Sequence, residues 1–254
     1  MLTGVSIKRF SRRRLINCED AKMREELTLK RSDLDLIDRP LARRKFIVWS
    51  GVAMGLTVSG CRSSRRGRRT GPGDLGEGDT AIFNLAYAIS QTQAEFYNRV
   101  VEDPYPGAPE DEINILRDMR DQERIQRDFF RDIQGRDGIE DLEFNFDTVN
   151  FENRQSVLDT AHFMEDLGVS AFNGGARFLN NENNMNLLAK MASVEARQAA
   201  TIRTMLQPNT DSFAGPDVVD PQTGLDIGRS PDEVVSLISP FIETEIDSTD
   251  IPRD

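Results

Sequence analysis

Glu123, Glu165 and Glu195 stand where a helical period of apolar residues demands another apolar side chain. The seams read Leu116, Met119, Glu123, Gln126, Phe130, Ile133; Leu158, Ala161, Glu165, Gly168, Phe172, Gly175, Leu179; and Leu188, Met191, Glu195, Gln198, Ile202, Met205. Steps of three and four are the core stripe of bundle helices. Buried acids are rare unless paired, hydrogen-bonded or bound to metal. Three of them, each near the middle of its seam, imply a polar layer inside an apolar core. Gln126 and Gln198 follow two of the acids by three residues, on the same helix face. Ser90 and Gln93, also three apart, sit at the matching height of an earlier helical segment.

Two chemistries suit such a layer. Carboxylates and amide carbonyls together make an all-oxygen site for a hard ion such as Mn²⁺, Mg²⁺ or Ca²⁺. Alternatively the glutamine N–H groups satisfy the carboxylates with no metal at all. Three close acids cannot all ionise cheaply, so at least one then keeps its proton with a raised pKa. His162, the sole histidine, lies one turn before Glu165 and is a weak nitrogen candidate, because its spacing sets it beside the seam. It reads better as an ordinary helix-face residue than as a ligand. Met119, Met164, Met191 and Met205 read as core filler.

The seams require four helices. The first opens at Asp79, a candidate cap, and carries Ile82, Phe83, Leu85, Ala86, Ile89, Phe96 and Val100 until Pro104, Pro106 and Pro109 interrupt it. The second runs from Glu110 to about Gly135, the third starts near Glu152, and the fourth follows the Asn180–Asn184 connection. Short connections make antiparallel hairpins of helices one and two, and of three and four. Between the hairpins, Leu142, Phe144 and Phe146 alternate in an extended stretch long enough to return along a helix of about 35 Å. The fold class is therefore all-α, a four-helix bundle with one long crossover between helices two and three. Gly168, Gly174 and Gly175 either allow close helix approach or break helix three.

Residues 207–254 are rich in Pro and Asp. Within them Ser230-Pro231-Asp232-Glu233 opens a short C-terminal helix, 231–239, with a Ser cap and a capping box, and Pro240 ends it. This helix should pack on the bundle end, and 243–254 should be disordered.

Charge sets the first quarter apart. Residues 1–60 hold 13 basic and 7 acidic side chains, whereas the rest holds 19 and 36, and the whole chain of 254 residues is at −11. An acidic balance argues against a nucleic-acid partner, and two cysteines exclude a disulfide framework. Arg43-Arg44-Lys45-Phe46-Ile47 opens an uncharged run ending in Val58-Ser59-Gly60-Cys61. The run is shorter than the roughly 20 residues a spanning helix needs. It resembles a twin-arginine export signal joined to a bacterial lipobox, which implies lipidation at Cys61 and an extracytoplasmic, membrane-anchored protein. The other reading is an uncleaved signal anchor. Residues 61–78, basic and then Gly-rich, form a flexible tether.

Ala94-Glu95-Phe96-Tyr97, Glu165-Asp166-Leu167-Gly168-Val169-Ser170-Ala171-Phe172-Asn173-Gly174 and Ala192-Ser193-Val194-Glu195-Ala196-Arg197-Gln198-Ala199-Ala200 carry a wider resemblance. Through them, residues 79–206 resemble the ferritin-like domain family of exported and desiccation-related proteins. That family's plan has a Glu on two helices and Glu-x-x-His on the other two. Against it, Glu123, Glu165 and Glu195 match, while Ser90, Gln126 and Gln198 occupy altered ligand positions. The resemblance implies a fold retained around a degenerate di-iron motif, hence a non-redox structural or interaction module with no cofactor and a stress-related setting. It equally implies, as the alternative, a divergent oxidase or metal-storage protein that holds iron or manganese on the remaining carboxylates. The membrane is a partner through the lipid; protein partners and homo-oligomerisation stay open.

Overall fold

The computed structural model describes residues 71–253. Cys61, Arg43, Arg44 and most of the tether lie outside them. Five α-helices and no strand make up the described chain: α1 (Gly78–Glu102), α2 (Glu110–Gln134), α3 (Arg154–Ala176), α4 (Glu182–Leu206) and the short α5 (Pro231–Ile238). α1 packs along α2 and α3 packs along α4, so the two hairpins expected from the short connections are the main pairings.

Local chemistry fixes the helix ends. Asn153 starts α3 by accepting from Ser156 N at 3.0 Å, and Asn181 starts α4 by accepting from Asn183 N. Glu110, Asp111 and Glu112 place negative charge on the first turn of α2, where the helix dipole favours it. Gly135 closes that helix at φ 54°, ψ −117°, a conformation that a side chain would strain. Asp79 does not cap α1, which already begins at Gly78. Its carboxylate instead crosses to the α3–α4 turn and accepts from Asn180 N, Asn181 N and Asn184 Nδ2. Partial burial pulls the Asp79 carboxyl up, but four donors from that turn, Asn180 Nδ2 being the fourth, outweigh it and hold the carboxyl below its ordinary range.

α1 is buried on nearly every face, because α3, the crossover and the C-terminal segment cover the sides that α2 leaves open. The crossover hangs on two buried amides of α1. Asn84 Nδ2 donates to Leu75 O and Asp137 O, while its Oδ1 accepts from Ile139 N. Gln91 Oε1 accepts from Leu142 N at 2.9 Å, and its Nε2 donates to Glu140 O. Leu142 and Phe146 are buried and Phe144 is half-buried. Phe146 meets Phe96, Phe144, Phe151 and Phe241 in one aromatic cluster.

The C-terminal segment departs from expectation. α5 contacts α3 and α1, and Phe241 just beyond it reaches Phe163 and Phe146. Pro231 takes the first helical position, but the Ser230 side chain makes no capping bond. Residues 243–253 are ordered by backbone pairing. Glu243 N donates to Glu143 O at 2.8 Å, Asp247 N to Gly73 O and Leu75 N to Asp247 O, while Ile242 and Ile251 are buried. The polar composition concealed two apolar anchors and a partner segment, 73–75, remote in sequence.

Glycines settle as spacers rather than breakers, since α3 runs unbroken through Gly168, Gly174 and Gly175. A Cβ at Gly174 would collide with the backbone of Arg229, and one at Gly175 would sit 3.2 Å from Ile82.

Candidate functional site

α2, α3 and α4 each carry one acid inward at mid-height. Glu123, Glu165 and Glu195 are all 0% exposed, and one carboxylate oxygen from each lies within 4.8 Å of the others. Glu195 gains its position from Gly168 on α3, because any Cβ there would overlap the Glu195 carboxylate. The small residue makes room for the acid opposite.

Amides and one phenol bind the triad together. Gln126 Nε2 donates to Glu195 Oε1 at 2.5 Å and to Glu123 Oε1 at 3.3 Å. Gln198 Nε2 donates to Glu123 Oε1 at 2.8 Å. Gln93 Nε2, from α1, donates to Glu195 Oε2 at 3.1 Å and to Met164 O. Tyr97 Oη donates to Glu165 Oε1 at 2.5 Å. Five oxygens of this group have no protein partner among the described residues: Gln93 Oε1, Glu123 Oε2, Gln126 Oε1, Glu165 Oε2 and Gln198 Oε1. Ser90 Oγ, one turn before Gln93 and fully buried, is likewise unpartnered.

Electrostatics follow from burial. Desolvation first, then the Glu195 and Glu165 charges, push the Glu123 carboxyl well above its ordinary range. Desolvation and then Glu195 do the same to Glu165, with the Tyr97 hydroxyl pulling partly back. Glu195 rises to about 7 through burial, opposed by the Gln126 and Gln93 N–H groups. Burial and the neighbouring acids drive the Tyr97 phenol well up, so it stays protonated and can only donate to a charged Glu165. At neutral pH the ion-free centre therefore stores protons on its acids.

His162 is directed elsewhere. Its Nε2 lies 3.0 Å from Asp166 Oδ2, on a partly exposed flank, and outside the group formed by the three glutamates. Asp166 also pairs with the buried Arg203, which in turn binds Asp217 at 2.8 Å. Together His162 and Arg203 outweigh burial and lower the Asp166 carboxyl. Two residues of the centre were not singled out as site residues by sequence reasoning. Gln93 lies three residues from Ser90 and shared its expected height; Tyr97 gave no signal beyond its place in a short motif, because an aromatic on a core stripe reads as packing.

Residues 78–208 match the family model described as a ferritin-like domain, a little over half of the chain. The chain belongs to the ferritin-like family. No curated protein matches it. The match spans α1 to α4 together with the crossover, so every residue of the polar centre falls inside the ferritin-like domain.

Proposed function

We propose that this ferritin-like protein is exported, tethered to a membrane by a lipid on Cys61, and performs no iron–oxygen chemistry, serving as a structural or interaction module. The carrying observation is what occupies the positions where a di-iron bundle would place its remaining ligands. The di-iron plan needs a Glu from each of two helices and a Glu-x-x-His from the other two. Here Gln126 and Gln198 stand three residues after Glu123 and Glu195 and turn N–H groups onto those carboxylates. An N–H cannot ligate a cation, and an amide is far less basic than an imidazole. Ser90 stands where the fourth carboxylate belongs. This donor set does not fit two irons.

Export and anchoring are supported by Arg43-Arg44-Lys45-Phe46-Ile47 and by the run that closes on Cys61. Among the described residues no helix is long and apolar enough to cross a membrane. A stress-protective setting, as in the desiccation-related members, is part of the same proposal.

Incubating the full chain with Fe²⁺ in air should give no oxidation above buffer. The triple variant Ser90→Glu, Gln126→His, Gln198→His should gain two irons per chain. Rapid oxygen consumption by the unaltered protein would instead favour a divergent oxidase or iron store. For the anchor, Cys61→Ala should move the protein from the membrane to the soluble extracytoplasmic fraction; a variant that stays membrane-bound refutes lipidation there.

A further inference from the structure

Five large apolar side chains stay exposed among the described residues, and three of them, Phe213, Leu225 and Ile227, belong to the single segment 212–229 beyond α4. Single apolar residues at a surface are ordinary, whereas a cluster marks a surface that something covers. The three are 54%, 68% and 39% exposed. Their backbone is tied down on both sides. Arg203 of α4 holds Asp217 Oδ2 at 2.8 Å and donates to Ser212 O. Arg229 N donates to Ser170 O of α3, and Arg229 Nη1 donates to Ser170 Oγ at 2.6 Å. Between these ties the chain folds into a small hairpin, with Asp220 N donating to Leu225 O and Ile227 N to Val218 O. The segment therefore holds its apolar side chains outward on a fixed frame.

With α3 and α4 the segment borders an open cavity of about 240 Å³. Val169 of α3 and Ala196, Ala199 and Ala200 of α4 line its bundle side, and Phe213 and Ile227 line the other. Leu225 lies two residues before Ile227 in the returning arm of the hairpin, where alternate side chains share a face, yet it does not line the cavity. A small molecule seated in the cavity would leave Leu225 bare. A ligand that covers all three is a macromolecular surface with an apolar side chain to insert. Charge then selects the partner. Asp211, Asp220 and Asp226 of this segment are exposed and pair with no base among the described residues. The cations beside them are already committed, Arg203 to Asp166 and Asp217 and Arg229 to Glu233. An anionic rim around an apolar centre attracts a cationic partner and repels both an anionic lipid surface and a second copy of itself.

We propose that this face docks a cationic amphipathic segment of a partner protein, with an apolar side chain in the cavity beside Phe213 and Ile227 and lysine or arginine against Asp211, Asp220 and Asp226. A frame that is already ordered loses little conformational freedom on binding. Apolar anchors at the centre with a polar rim around them are the common anatomy of such contacts. The inference rests on the interaction-module part of the proposed function and names the chemistry of the partner.

A fluorescein-labelled synthetic peptide of Leu and Lys at helical spacing, titrated with the full chain and followed by fluorescence anisotropy, is the test. One peptide per chain is expected, bound at least tenfold tighter than the same peptide with Glu for Lys or Ser for Leu, and weakening as salt rises. Phe213→Ser and Leu225→Ser alter exposed side chains, so each should keep the thermal midpoint and weaken binding at least tenfold. Asp211→Asn together with Asp226→Asn should weaken it and flatten its salt dependence. Equal binding of the Glu peptide, or indifference to both Ser variants, would overturn the proposal. So would a dimer of the chain dispersed by Phe213→Ser, or attachment to phosphatidylcholine vesicles lost in Leu225→Ser, since a second copy or a lipid surface would then be the occupant. If no peptide binds while Fe²⁺ is still not oxidised, the docking face is refuted and the redox-silent reading survives. Rapid iron oxidation beside specific peptide binding would remove the redox-silent reading and support the docking face.

Discussion

Burial brings the titration of Glu195 to the neutral range. Its carboxyl is raised from 4.5 to about 7, mainly by burial, and burial also raises Glu123 and Glu165 well above their ordinary range. In the unfolded chain all three titrate near 4.3. A raised folded-state pKa means the folded protein binds more protons than the unfolded one between the two values. The stabilisation is thus complete below the unfolded value and is lost as pH climbs through the folded one. The ion-free protein should therefore melt at a higher temperature at pH 5 than at pH 8. Glu195→Gln should flatten the part of that slope between about 4.3 and 7, a difference of a few kcal/mol. Thermal unfolding in EDTA across this range checks it, and a midpoint independent of pH would mean that the acids are not desolvated as described.

At the scale of elements, Gly168 couples two helices that would otherwise repel at the centre. Its missing side chain lets the Glu195 carboxylate of α4 enter beside α3, with Gln93 also close by. Gly168→Ala must push α4 away or displace Glu195, so a loss of about 1–3 kcal/mol is expected, the usual cost of overpacking. Ala at an ordinary helix glycine would instead gain about 1 kcal/mol. Urea unfolding therefore reads the sign, and a stabilised Gly168→Ala would contradict the close approach. The four helices were legible because their seams repeat over many turns, and the acids were legible because they interrupt those seams. Asp79 misled, since the same carboxylate suits a cap or a distant turn, and only tertiary structure brings Asn180 to it. Gly168 was ambiguous for a related reason: which side chain fills the space above a glycine depends on a helix almost thirty residues away. Tyr97 was hidden because burial of its ring explains it without its hydroxyl.

At the scale of the molecule, the C-terminal segment is part of the structural frame rather than an appendage. It pairs with residues 73–75 and with the crossover, so it ties the start of the domain to the strap that joins its two hairpins. α1 sits beneath that wrapping, with α2 and α3 covering its other sides. Removing residues 242–254 would expose the contacts of Ile242 and Ile251, worth about 1.5–3 kcal/mol each if fully lost. It would also leave the backbone groups of Gly73, Leu75 and Glu143 without their partners. Against a total stability of about 5–15 kcal/mol, that loss is large. At about 2–4 °C per kcal/mol for a domain of this size, the truncated chain should melt on the order of 10 °C lower. Hydrogen exchange should rise first in 73–75 and 139–146, the segments that lose their pairing, and only later in α3 and α4, which keep each other. A truncated protein with an unchanged midpoint would mean that the segment rides on the bundle without supporting it.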